Sequence, residues 1–199
     1  MNWHLVVMVK APRIGQVKTR LGRDIGCLKA WVFYRRMLCR VVGPLARNER
    51  WTMSLAVTPD STLYKNRIWP LQTRRIAQGR GDLGKRMHRV FTAMPPGPVV
   101  IIGADIPGIR SAHIRHAFRA LGPHDAVIGP AEDGGYWLIG LRRRPALKDI
   151  FSGVRWSTVH ALADTESNLP VHWRIAVLET LTDVDDSGTY SALKQIKVK

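Results

Sequence analysis

Val99-Val100-Ile101-Ile102-Gly103-Ala104-Asp105-Ile106-Pro107-Gly108 runs from four aliphatic side chains straight into a carboxylate framed by small residues. So short an apolar run, set off by the breaker Pro95-Pro96-Gly97-Pro98, reads as a strand buried on both faces. Working outward, Trp3 to Val9, Trp51 to Val57, Arg75 to Ala77, Ala126 to Gly129, Tyr136 to Leu141 and Trp173 to Leu178 supply further strands. Helical patterns lie between them. One runs from about 28 to 42, with Leu28, Trp31, Val32, Leu38, Val41 and Val42 as inward positions. Others run from the cap Asp82 to Ala93, from Ser111 to Leu121 with Gly122-Pro123 as stop, from Trp156 to Asp164, and near the C-terminus. Strands alternating with helices predict an α/β fold with a mostly parallel sheet. Ligands of such sheets sit beyond the carboxyl ends of the strands. That directs attention to residues 10–21, 103–107 and 130–135.

Composition narrows the class. The chain has 199 residues, 45% of them hydrophobic, which excludes overall disorder and predicts one domain over residues 1–199. Apolar runs such as Leu5 to Val9 fall far short of the roughly 20 residues a membrane span needs. The chain opens without a secretory pattern, and Cys27 and Cys39 read as free thiols, so a cytoplasmic location is expected. Net charge is +16, with 19 basic and 4 acidic residues in the first hundred positions and 12 and 11 in the rest. That excess favours nucleotides, phosphorylated substrates or nucleic acid. No helix-turn-helix or zinc spacing is present, so specific nucleic-acid binding is not expected. His113 and His116 read as surface residues, and Arg142 to Arg144 as a solvated turn. Nothing in the order of Ser, His and Asp supports acyl transfer.

Four constellations fall at the directed positions. Lys10-Ala11-Pro12-Arg13-Ile14-Gly15-Gln16-Val17-Lys18-Thr19-Arg20 follows the first strand. Its Pro12 and Gly15 shape a loop, and Lys18 and Arg20 offer charge to a diphosphate, without the spacing of a Walker loop or a dinucleotide fingerprint. Asp105, at a strand end, suits a hard cation that also holds phosphate oxygens. Gly129-Pro130-Ala131-Glu132-Asp133-Gly134-Gly135-Tyr136-Trp137 reads as a hairpin turn with two acids and two aromatic rings. Thr182-Asp183-Val184-Asp185-Asp186 places Asp183 and Asp185 on one side of an extended segment. Gly81-Asp82-Leu83-Gly84-Lys85 and Val154-Arg155-Trp156-Ser157-Thr158 are helix entries where an anion or an ordinary cap fits.

Taken in order, these motifs resemble the small bacterial GT-A-type, glycosyltransferase-like proteins related to the deazaflavin-cofactor guanylyltransferase. The resemblance rests on Lys10-Ala11-Pro12, Val17 to Leu21, Gly81 to Gly84, Gly103 to Pro107, Gly129 to Tyr136, Trp156 to Thr158 and Asp183 to Asp185. It implies a single-domain nucleotide-diphospho-sugar transferase α/β/α sandwich on a mixed, mostly parallel sheet, and a metal-dependent transferase using a nucleotide-activated donor. Lys10, Gly15, Lys18, Arg20 and Gly84 would hold the nucleotide phosphates. Asp105 and Asp133 would be catalytic, and Asp105 with Asp185 would bind Mg2+ or Mn2+. Glu132, Gly134, Tyr136, Trp156 and Ser157 would face the acceptor or sugar. Partners would be a nucleotide sugar or nucleoside triphosphate and a small acceptor. Sugar transfer, nucleotidyl transfer with pyrophosphate release, and a non-catalytic basic nucleic-acid-binding module remain the three readings.

Overall fold

The computed structural model describes residues 2–69, 73–144, 147–184 and 188–191. Strands β1 (Trp3–Lys10), β2 (Trp51–Thr58), β3 (Arg74–Ala77), β4 (Gly97–Gly103), β5 (Ala126–Pro130), β6 (Tyr136–Arg143) and β7 (Ile175–Val177) form one sheet in the order β3-β2-β1-β4-β6-β5-β7. All neighbouring pairs are parallel except those of β6, which runs antiparallel to both β4 and β5. The expected mixed, mostly parallel α/β sheet is therefore the observed one.

Alternation along the strands feeds two cores. Leu5, Val7, Val9, Val100 and Ile102 point to one face, covered by α1 (Thr19–Ile25), α2 (Cys27–Ala46) and α4 (Ser111–Ala120). Val6, Val99 and Ile101 point to the other, beneath α3 (Leu83–Ala93) and the segment carrying Ile150 and Phe151, with α5 (Ala161–Ser167) beyond. Burial on both faces is why the central strands are continuously apolar.

β6 fixes the geometry of the site. β4 and β5 both pair antiparallel with it, so they share a direction, and their carboxyl ends emerge on one edge with that of β1. The turn at 131–135 and the start of β6 therefore sit at the ligand edge of the sheet.

Several expectations change. Residues 19–25, ahead of the helix expected from about 28, form a helix of their own, α1. The buried side of α2 is Ala30, Phe33, Tyr34, Met37, Leu38, Val41, Val42 and Leu45, while Leu28 is 60% exposed. The helix expected from Trp156 begins only at Ala161. Arg142 and Arg143 lie within β6 and donate to the carbonyls of Leu121 and Gly122 and of Phe91 and Thr92, so they tie strand to helix ends and are not a solvated turn. His113 is not a surface residue. Its ring meets Trp137 at 5.9 Å and its Nε2 lies 3.4 Å from Glu179 Oε1, while His116 is exposed. The expected closing helix reaches the described residues only at 188–191.

Candidate functional site

Two cavities open beyond the carboxyl ends of the strands. The first, about 360 Å3, is lined by the ends of β1 and β2, by Gln16 to Arg20, by Tyr34 and Gln78, and by Asp105. The second, about 270 Å3, is lined by Ile106, Ala131, Asp133, Tyr136, Trp137, Trp156, Ser157 and Asp183. Leu83 and Asp105 line both, so the cavities share a wall.

Lys18 defines the first cavity. It stands immediately before α1 in the left-handed conformation, φ 46° and ψ 51°. That conformation is uncommon for a side chain with a Cβ and costs about 1–2 kcal/mol. It turns the ammonium inward, where the side chain is only 5% exposed and Nζ lies 3.2 Å from Asp105 Oδ2. Ser157, lining the second cavity, is the other non-glycine residue at positive φ among the described residues, at 60°. Both departures thus fall at the cavities, where held strain serves placement.

The floor of the first cavity is braced by side chains that donate to strand ends. Tyr34 donates to Lys10 O (2.9 Å) and accepts from Lys10 N (3.0 Å). Burial pushes its phenol well above the ordinary value, against the pull of the Lys10 bond, with the Asp105 charge adding to the rise. It is a neutral brace. Gln78, buried just past β3, donates to both Val9 O (3.1 Å) and Ala56 O (2.7 Å). Lys10 and Arg20 line this cavity with Lys18, whereas the expected Gly15 does not; its φ of 73° serves the turn.

The second cavity is assembled from the hairpin and the turn before α5. Asp133 Oδ1 accepts from Gly135 N at 2.9 Å, closing the hairpin turn with Gly134 at φ 81°. A Cβ on Gly134 would lie 2.4 Å from Val159 O, so the glycine lets the two turns touch. Arg155 donates from Nε and Nη2 to the Asp164 carboxylate (2.9 and 2.8 Å), pinning the Trp156 turn to α5. Those bonds, with a third from Arg155 N, hold the Asp164 carboxyl well below the usual carboxylate range. Tyr136 meets Trp156 edge-on at 6.2 Å; burial raises its phenol, opposed by the bond to Thr165.

The expected site residues thus divide. Lys10, Lys18, Arg20 and Asp105 converge on the first cavity, and Asp105, Asp133, Tyr136, Trp156 and Ser157 on the second. Glu132, Gly134 and Gly84 line neither. Glu132 is exposed, and Gly84 is buried where a Cβ would come within 2.9 Å of both Phe151 and Trp156. The absent side chain of Gly84 therefore lets the start of α3 pack closely on Phe151 and Trp156. Asp185 lies outside the described residues. Asp183, weighed beside it, lines the second cavity. Tyr34, Gln78 and Leu83 were not foreseen. For Tyr34 and Gln78 the signal was a polar side chain at an inward position, which needs a buried partner.

Among curated proteins, the 2-phospho-L-lactate guanylyltransferase of Methanocaldococcus sp. (strain FS406-22) is 21% identical over 147 residues, 74% of this chain and 63% of that protein. The chain thus spans less than two thirds of that relative's length. Among solved structures, a Desulfovibrio desulfuricans G20 protein provisionally named a nucleotide-diphospho-sugar transferase superposes with a TM-score of 0.84 at 29% identity, covering 100% of this chain and 96% of its own. The 4-diphosphocytidyl-2C-methyl-D-erythritol synthase of Anaerococcus prevotii DSM 20548 shares the fold, with a TM-score of 0.63 at 10% identity over 100% and 99% of the two chains. The resemblance drawn from the motifs agrees with these likenesses, all of them to proteins bearing transferase or synthase names. Residues 41–158, more than half of the chain, match the family described as an uncharacterised protein conserved in bacteria, DUF2064, and the chain belongs to it.

Proposed function

We propose that this protein transfers a sugar from a nucleotide-diphosphate donor to a small acceptor. One observation carries the reading: the shared wall separates opposite chemistries. The first cavity presents Lys10, Lys18 and Arg20, as an anionic diphosphate requires. The second presents Tyr136, Trp137 and Trp156 with Asp105, Asp133 and Asp183, and no Lys, Arg or His among its described lining residues. Aromatic faces with carboxylate acceptors suit an uncharged hydroxylated ring; a phosphorylated acid would be repelled there.

In this reading Lys18 and Arg20 neutralise charge that gathers on the departing diphosphate, each such donor being worth about 3 kcal/mol. The neutral Tyr34 holds the end of β1 fixed beneath them. Asp133 and Asp183 accept hydrogen bonds from hydroxyl groups in the second cavity, and Trp156 offers a ring face. Mg2+ or Mn2+ fits as a substrate-borne ion. Among the described residues no group of three or more His, Cys, Asp or Glu is placed to hold a metal, but Asp105 offers a carboxylate 45% exposed at the junction. Such ions need only one or two protein carboxylates when phosphate oxygens complete the shell. Bound there, the ion supplies positive charge to the leaving group.

The test is a donor panel. Purified protein with Mg2+ or Mn2+ and a set of nucleotide sugars should release a nucleoside diphosphate. Release of pyrophosphate from nucleoside triphosphates, with no nucleotide sugar consumed, would overturn sugar transfer. That outcome would favour nucleotidyl transfer, the reading that the name of the guanylyltransferase relative supports.

A further inference from the structure

The cationic excess is not used up by the cavities. Lys29, Arg35, Arg36 and Arg40 are exposed along α2, a helix that contains no Asp or Glu. Among the described residues none of the four takes part in a salt bridge. Positions 29, 36 and 40 share one side of the helix. Arg35 extends the patch, lining a small hollow together with Arg67.

Two aliphatic side chains stand at one end of this patch. Leu28 is 60% exposed and Ile14 57%. Trp31, one turn beyond Leu28, donates from Nε1 to Pro12 O at 2.7 Å and ties the loop that carries Arg13 and Ile14 to this helix. A single exposed leucine is ordinary. Two aliphatics beside a row of cations without carboxylate partners are the makings of a lipid contact.

Single-stranded nucleic acid fits this face less well. The Trp31 indole is tied to Pro12 by its N–H and has one face covered by Arg35 at 5.0 Å, which disfavours stacking on a base. The hollow between Arg35 and Arg67 measures only about 40 Å3, against about 360 and 270 Å3 in the two cavities. No helix among the described residues is long and apolar enough to cross a membrane. We infer that the outer side of α2, with the tip of the loop at Ile14, docks this protein on an anionic membrane surface. The cations meet headgroups, and Ile14 and Leu28 enter the headgroup boundary. That loop continues into Gln16 to Arg20, so docking sets the first cavity beside the lipid surface. The inference does not depend on which group the cavities transfer.

Co-sedimentation of the full chain with vesicles tests it. Binding is expected to phosphatidylcholine vesicles containing about a third phosphatidylglycerol, not to phosphatidylcholine alone, and should weaken as salt rises. Arg36→Gln with Arg40→Gln should lower partitioning roughly 25-fold, at about five-fold per lost charge. Ile14→Ser with Leu28→Ser should lower it several-fold at unchanged charge. A melting curve for each variant separates lost binding from lost folding. Absence of binding to the anionic vesicles in 0.1 M salt overturns the inference. So does binding that ignores the Ile14 and Leu28 changes, or a face that instead retains RNA in a filter assay while vesicles stay free.

Discussion

The two cavities share Asp105 and Leu83 and almost nothing else. The first belongs to the parallel part of the sheet. Its walls are a loop, the entry of a short helix and strand ends cross-tied by Tyr34 and Gln78. The second belongs to the antiparallel hairpin and is walled by aromatic rings and carboxylates from distant segments. The parallel part builds a place for charge, and the hairpin part builds a place for shape. A substitution on one side should therefore leave the other side's ligand in place, and only the wall should matter to both.

The largest effect is expected at the wall. Asp105→Asn should lower turnover by about 10²–10³, the scale of losing one preorganised charge contact, while nucleotide still raises the melting temperature. Unchanged turnover would break the idea of a shared wall. Lys18→Met comes next. Losing a charge-assisted contact should weaken nucleotide binding by about 10- to 100-fold in calorimetry, with little change in acceptor KM. Gly84→Ala acts from the opposite side. Its Cβ meets Phe151 and Trp156 at 2.9 Å, so about 1–3 kcal/mol of stability should go, lowering Tm by roughly 2–4 °C for each kcal/mol. Acceptor KM should rise while nucleotide affinity holds; a matching loss of nucleotide affinity would contradict the division.

Smaller effects sharpen the picture. Ser157→Gly relieves a φ of 60° and should stabilise the fold by about 1 kcal/mol, raising Tm by a few degrees. The Arg155–Asp164 pair gives the smallest. Its bonds favour the ionised carboxylate in the folded chain, so the unfolded chain takes up the proton at higher pH. The stabilisation is present above the ordinary carboxylate range, near pH 4, and fades as pH falls toward the depressed folded value. Asp164→Asn should lower Tm slightly at pH 7, and the difference from the parent should shrink in acid.

Much of this was legible in the sequence because it is local. A carboxylate directly after a buried aliphatic run announces a strand end, and Asp105 stands where that rule puts it. Lys18 and Arg20 follow the same logic after β1. What escaped was non-local. The packing of Gly84 on Phe151 and Trp156, some seventy positions away, leaves no local signature at a helix start. In α2 the expected inward positions Leu28, Trp31 and Val32 give way to Ala30, Phe33 and Tyr34. The Tyr34 hydroxyl is satisfied by the Lys10 backbone, which allows the ring to turn inward and Leu28 outward. The left-handed backbone at Lys18 also had no signal, since lysine is a rare choice there.

The reversal of β6 reaches beyond geometry. A parallel neighbour would have delivered a helix to that edge of the sheet; the reversed strand delivers a tight turn, at 131–135, whose residues answer to no long-range crossover. Within that turn Gly134 is held against Val159 and accepts from Leu162 N at 3.0 Å, whereas the exposed Glu132 and Asp133 can change without disturbing the layers behind them. Under the proposed function, changes at Glu132 and Asp133 would retune which molecule receives the transferred group, while Lys18 and Arg20 on the donor side stay as they are.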